Sequence, residues 1–121
     1  MAGNIDLELV RKTAMAVKAL EKVAIAKDYP NFLNPAKELS ENVVKLVQMA
    51  TAHNLTEYAN DLRDKVKNAM ASAKIVLRDK TDEALNQFIG LLKDVAKVIV
   101  ELMMELKKRG SIAPQGVSLF G

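Results

Sequence analysis

Between Val10 and Ala24 the apolar residues Val10, Ala14, Val17, Leu20 and Ala24 recur at steps of three and four, while Glu8, Arg11, Lys18 and Lys22 form a charged stripe. That spacing predicts an amphipathic helix, started by Asn4 or Asp6 as N-cap and running to about Asp28. The segment Tyr29-Pro-Asn-Phe-Leu-Asn-Pro35 then interrupts the period with two prolines. It carries Tyr29 and Phe32, so it reads as a packed corner rather than a loose loop. Asn34 before Pro35 predicts the next start, because Asn offers a cap oxygen and Pro at the first helical position gives up no needed donor. The second helix places Leu39, Val43, Leu46 and Ala50 on its core face, flanked by Val44 and Val47, and runs to about His53.

Asn54-Leu-Thr-Glu57 has the spacing of a capping box and predicts a break there. A third helix from about Leu55 to Lys80 follows, with Leu55, Ala59, Leu62, Val66, Ala69, Ala73 and Val76 in an unbroken seam. Thr81 caps a fourth, Asp82 and Glu83 suit its first turn, and Lys107, Lys108 and Arg109 before Gly110 suit the negative end of its dipole. Its seam is Leu85, Phe88, Leu92, Val95, Ile99, Leu102 and Leu106. The residues from Tyr29 to Pro35 span at most about 25 Å, short of the roughly 36 Å length of the first helix, so the second must begin where the first ends. The other joints are shorter still. The expected fold is therefore all-α: an antiparallel up-down-up-down four-helix bundle over 1–110, with a short apolar C-terminal tail at 111–121.

Composition adds mainly exclusions. A chain of 121 residues that is half hydrophobic fits one self-folding domain without staples. The absence of cysteine removes disulfides, thiolate zinc sites and thiol nucleophiles. Neither a secretory leader nor a membrane-length apolar run is evident, which makes a cytoplasmic protein with no membrane partner the default expectation. No cofactor is expected. The glycines are scattered singly, with no phosphate-binding loop, and the Glu-x-x-His pairs of a di-metal bundle are missing. Glu101 and Glu105 continue the polar stripe of Asn86, Gly90, Asp94 and Lys97 and read as a solvated face.

His53 is the single histidine, at an expected helix end where a partly charged imidazole suits the dipole. Ala52-His-Asn-Leu55 in a chain expected to form four helices resembles the phosphorylated segment of histidine phosphotransfer domains, over about a dozen residues. The resemblance implies a phosphoryl-accepting His53. The family places Lys and Gly three and four positions after its histidine, where this chain has Thr56 and Glu57, and its histidine lies mid-helix. A phosphotransfer module therefore ranks third among the functional expectations.

Two surface patterns rank above it. On the third helix Arg63, Lys67, Lys74 and Arg78 fall within about 60° of one another at 100° per residue, a stripe able to track phosphates. Asp61, Asp64 and Asp79 interleave with it, and no exposed aromatic is evident for stacking on bases. With Arg11, Lys18 and Lys22 aligned similarly on the first helix, these basic stripes support a nucleic-acid-binding or virion-type packaging protein as the alternative reading. The first expectation is a non-enzymatic structural or interaction bundle that self-associates, or docks another helical protein, through the fourth helix and the tail. Beyond its seam that helix carries Leu91, Val98 and Met104 on outer flanks, and the uncharged tail contains Val117, Leu119 and Phe120.

Overall fold

The computed structural model describes residues 5–110, the last two as backbone alone. Four α-helices form: α1 (Leu7–Ile25), α2 (Leu33–Ala52), α3 (Thr56–Asp79) and α4 (Asp82–Gly110), with a single 3-10 turn at Tyr29–Asn31 before α2. Packing runs round the four sides of a square, α1 against α2 and α4, α3 against α2 and α4. Short joints between successive helices make each antiparallel to the next, so the fold is the up-down-up-down bundle. The expected tail, with Val117, Leu119 and Phe120, lies outside the described residues.

The four seams are the core. Every apolar position expected to point inward is buried, from Val10 on α1 through Leu46 on α2 and Leu62 on α3 to Leu106 on α4. Phe32 joins them from the corner, buried and stacked on Phe88 of α4 with ring centroids 5.8 Å apart, and Tyr29 packs on Phe32 at the same separation. Thr13 and Ser72 are the only polar residues buried among those described, and the Thr13 hydroxyl donates to the Leu9 carbonyl at 2.8 Å.

The helix ends explain where the chain turns. Asp6 caps α1, its Oδ1 accepting from the Leu9 N–H at 3.1 Å. The helix stops at Ile25, short of the expected Asp28, because Lys27 turns left-handed at φ 56°. Asp28 N–H then donates back to Val23 C=O at 2.9 Å and Lys27 N–H to Ala24 C=O at 3.0 Å, the paired bonds of a Schellman stop. Asn54 does the same for α2 at φ 62°, with Leu55 N–H donating to Ala50 C=O at 2.8 Å. The expected capping box at Asn54 is therefore not formed. Asn54 ends α2 instead of starting α3, whose N-cap is the buried Leu55 with no side-chain cap bond.

A second correction concerns Asn34 and Pro35. Burial of Phe32 fixes the corner so that α2 already begins at Leu33, with Ala36 N–H donating to Phe32 C=O at 3.1 Å. Pro35 sits within the first turn, where a missing donor costs nothing. Thr81 caps α4 as expected, its Oγ1 accepting from Ala84 N–H at 3.1 Å. Across the same end of the bundle Lys27 Nζ meets Asp82 Oδ1 at 2.8 Å, joining the end of α1 to the start of α4. The hydrogen bond and charge of each raise the Lys27 pKa and lower that of Asp82.

Leu62 and Leu92 are fully buried at mid-seam. Replacing either with Ala should destabilise the bundle by about 2–5 kcal/mol in denaturant melts, since a cavity is left where neighbours cannot collapse. Lys67→Ala, on the exposed side of α3, should change it by under about 0.5 kcal/mol.

A candidate interaction groove

Three expected partner-binding residues fall among those described, and they do not form one surface. Val98 is 5% exposed and belongs to the core, and Leu91 is half-buried against it. Met104 is 57% exposed and points elsewhere. The reason is helix phase: at 100° per residue Met104 lies well over 100° from both Leu91 and Val98, which fall on the flank of α4 that α3 covers. Val98 lies in the shallow α3–α4 furrow with Asp61, Lys65, Asp94, Lys97 and Glu101. The fourth helix therefore does not present the expected outer flank.

An apolar depression lies between α2 and α3. It has a volume of about 310 Å³ and is lined by Phe32, Leu33, Ala36, Lys37 and Ser40 on one side and Met70, Ala73, Lys74 and Leu77 on the other. Small residues account for its depth. Ala36 and Ala73 leave no side chain to fill the gap, so the walls stand apart over an apolar floor formed partly by the buried Phe32. Leu33 is 73% exposed, Leu77 40%, and Val44, further along α2 on the phase of Leu33, 58%. Covering the two leucines would contribute on the order of 1–2 kcal/mol each. Nothing in the sequence pattern distinguished Leu33, which lay in the supposed corner before the helix start, and Val44 read as a core flank.

The basic stripe of α3 is present and borders this groove. Lys74 lines it, and Arg63, Lys67 and Arg78 share its phase, all four exposed. Two of the four charges are partly offset by chain neighbours: Arg78 Nε donates to Asp79 Oδ1 at 2.7 Å, and Arg63 Nε stands 4.0 Å from Asp64. That contact raises the Arg78 pKa and lowers that of Asp79. Asp61 lies on the other side of α3, in the α4 furrow with Lys65 at 3.7 Å. The two sides of α3 are thus different in kind, basic toward α2 and mixed toward α4.

His53 is the C-cap of α2, half-buried, with its backbone N–H directed at the carbonyls of Met49, Ala50 and Thr51. The Ala52-His-Asn-Leu55 segment spans the α2–α3 turn, not the middle of a helix. Among the described residues no Asp, Glu, Lys, Arg or His is buried, no buried side-chain polar atom lacks a hydrogen-bond partner, and no cluster of acidic and His side chains is placed to hold a metal. No helix there is long and apolar enough to cross a membrane.

Comparison with protein-family models, curated proteins and solved structures finds no match for this chain.

Two outcomes follow from this placement. His53→Gln keeps the backbone bonds of the cap and should cost at most about 1 kcal/mol in denaturant melts while leaving any partner binding nearly unchanged; phosphohistidine at 53 after incubation with a phosphodonor kinase would reverse that expectation. Affinity for duplex DNA or RNA should be weak even at low salt. A steep fall with rising salt, lessened when Arg63, Lys67, Lys74 and Arg78 are neutralised together, would instead establish the stripe as a phosphate track.

Proposed function

We propose that this chain is a non-enzymatic interaction bundle, a rigid scaffold that offers the α2–α3 groove to another helix, from a second copy or from another protein. The observation that carries this reading is the apolar groove itself. A bundle whose seams are already complete gains nothing in its own folding from leaving Leu33, Val44 and Leu77 in water. A concave, apolar-floored trough between two helices is the shape into which a third amphipathic helix packs. The surface position of every described ionisable group supports the non-enzymatic part, since acid–base catalysts are usually tuned by desolvation and close charged partners. Participation of the tail is part of the same proposal, for Leu119 and Phe120 are costly to leave exposed wherever they lie.

Solution mass and crosslinking test it together. A photoreactive side chain at position 33 should join the chain to a second polypeptide, while the same group at position 93, on α4, should not. If the second polypeptide is another copy, Leu33→Asp should return the mass to that of a monomer without lowering the thermal midpoint, because position 33 is already mostly in water. Deleting residues 117–121 should weaken assembly more than folding. A monomer whose position 33 crosslinks nothing would end the proposal.

A further inference from the structure

Resting on the interaction reading above, we infer that the α2–α3 groove takes an amphipathic helix of another protein whose apolar stripe is bordered by Asp or Glu. The inference comes from what stands along the rim. Lys37 on the α2 wall and Lys74 on the α3 wall face one another across the apolar floor. Lys67 lies two turns before Lys74 on the same phase, at the level of Val44, and Arg63 one turn further. Among the described residues Lys37, Lys67 and Lys74 make no ion pair, although Lys27, Lys65 and Lys108 each find a carboxylate. The lining of the groove contains no acidic residue, and Glu41, exposed one turn beyond Lys37 on α2, is the acid nearest the rim in phase, so α3 is the more basic wall. An apolar trough edged by unpaired cations on both sides is complementary to an apolar stripe edged by anions.

Length and shape specify a helix. From Leu33 to Val44 the α2 wall runs twelve residues, roughly 16 Å or three turns, room for apolar side chains at i, i+3 or i+4 and i+7. Ala36 and Ala73 let a backbone approach closely between the walls. Acidic side chains on the two flanks of the incoming helix then reach Lys37 on one side and Lys67 and Lys74 on the other.

Charge argues against a second copy as the occupant. A two-fold contact of groove on groove would set Lys37, Lys67 and Lys74 against their own counterparts. Of the other exposed apolar residues that a copy would offer, Val100 and Met104 on α4 share their face with Lys93 and Lys97, Met15 on α1 lies among Glu8, Arg11, Lys18 and Lys22, Ile25 lies near Lys18, Glu21 and Lys22, and Ile75 on α3 stands by itself among Asp64, Asn68 and Asp79. Like charge would meet like charge with groove on groove and with the α4 face on the groove, while Met15, Ile25 and Ile75 are single residues and not an apolar stripe edged by acids. For a nucleic-acid strand, the exposed Leu33 and Leu77 stand on the two walls between which a phosphate backbone would lie.

Two synthetic helical peptides of about eighteen residues with one shared leucine stripe, flanked by Glu in one and by Lys in the other, test the assignment on the isotopically labelled full chain. The Glu peptide should shift the resonances of Leu33, Ala36, Ser40, Met70 and Leu77 and bind at least about tenfold more tightly than the Lys peptide. That advantage should fall to under about threefold in 1 M salt, where rim charges are screened. Lys67→Glu with Lys74→Glu should cancel or reverse the preference, and Leu33→Asp should abolish binding of both peptides while the melting midpoint stays unchanged. Equal binding of the two peptides, shifts confined to another face, or occupation of the groove by anionic vesicles or duplex DNA in place of the Glu peptide would overturn the inference. A chain that dimerises through the groove, returned to monomer by Leu33→Asp, would overturn the acidic partner yet leave the interaction reading standing. A groove that takes neither peptide nor copy would remove both.

Discussion

Four apolar stripes that cannot be left in water govern this molecule. Most of the stability of these helices comes from packing their amphipathic faces together and not from their own backbone bonds. Brought together, the seams bury a continuous column of Leu, Val, Ile and Ala side chains, closed at the corner by the stack of Phe32 on Phe88. Everything else is subordinate to that burial. The turns are short because the stripes must meet along their length, and each is made by a residue that accepts a left-handed backbone, Lys27, Asn54 or Lys80. For the two lysines that conformation carries a cost of about 1–2 kcal/mol each, tolerated because the returned helix covers its neighbour.

The same demand explains where the surface is incomplete. Large side chains fill the centre of the square, but between α2 and α3 the boundary positions are Ala36 and Ala73, and the two walls stay apart. Leu33 and Leu77 are left exposed there beside Lys37 and Lys74, which make no ion pair among the described residues. Between α3 and α4 the boundary is closed by Val98, with Leu91 on the same phase, and the furrow outside is lined by charges of both signs, of which Asp61 and Lys65 pair.

Much of the architecture was legible without coordinates, since a seam stepping by three and four over a whole helix has one geometrical meaning. The seven-residue series from Leu55 to Val76 is buried throughout, and Thr81 caps the helix it was expected to cap. Local signals with two possible uses were less decisive. Asn34-Pro35 and Asn54-Leu-Thr-Glu57 both look like helix starts, but an Asn serves equally as a left-handed stop, and Phe32 had to be seen packed on Phe88 before the true start at Leu33 followed.

Periodicity therefore determined the four helices, their inward faces, their antiparallel order and the basic stripe on α3, because these depend only on phase along one chain and on the reach of short joints. Whether a flanking residue is covered was decided by the helix beside it. Val98 and Val44 are the same residue type, each set to one side of its seam. One is in the core and the other in water, because α3 closes on α4 with Leu91 and Val98 between them but meets α2 through alanines. Only the tertiary structure could set Lys37 opposite Lys74 over an apolar floor, since a groove is a property of two helices and neither carries it alone.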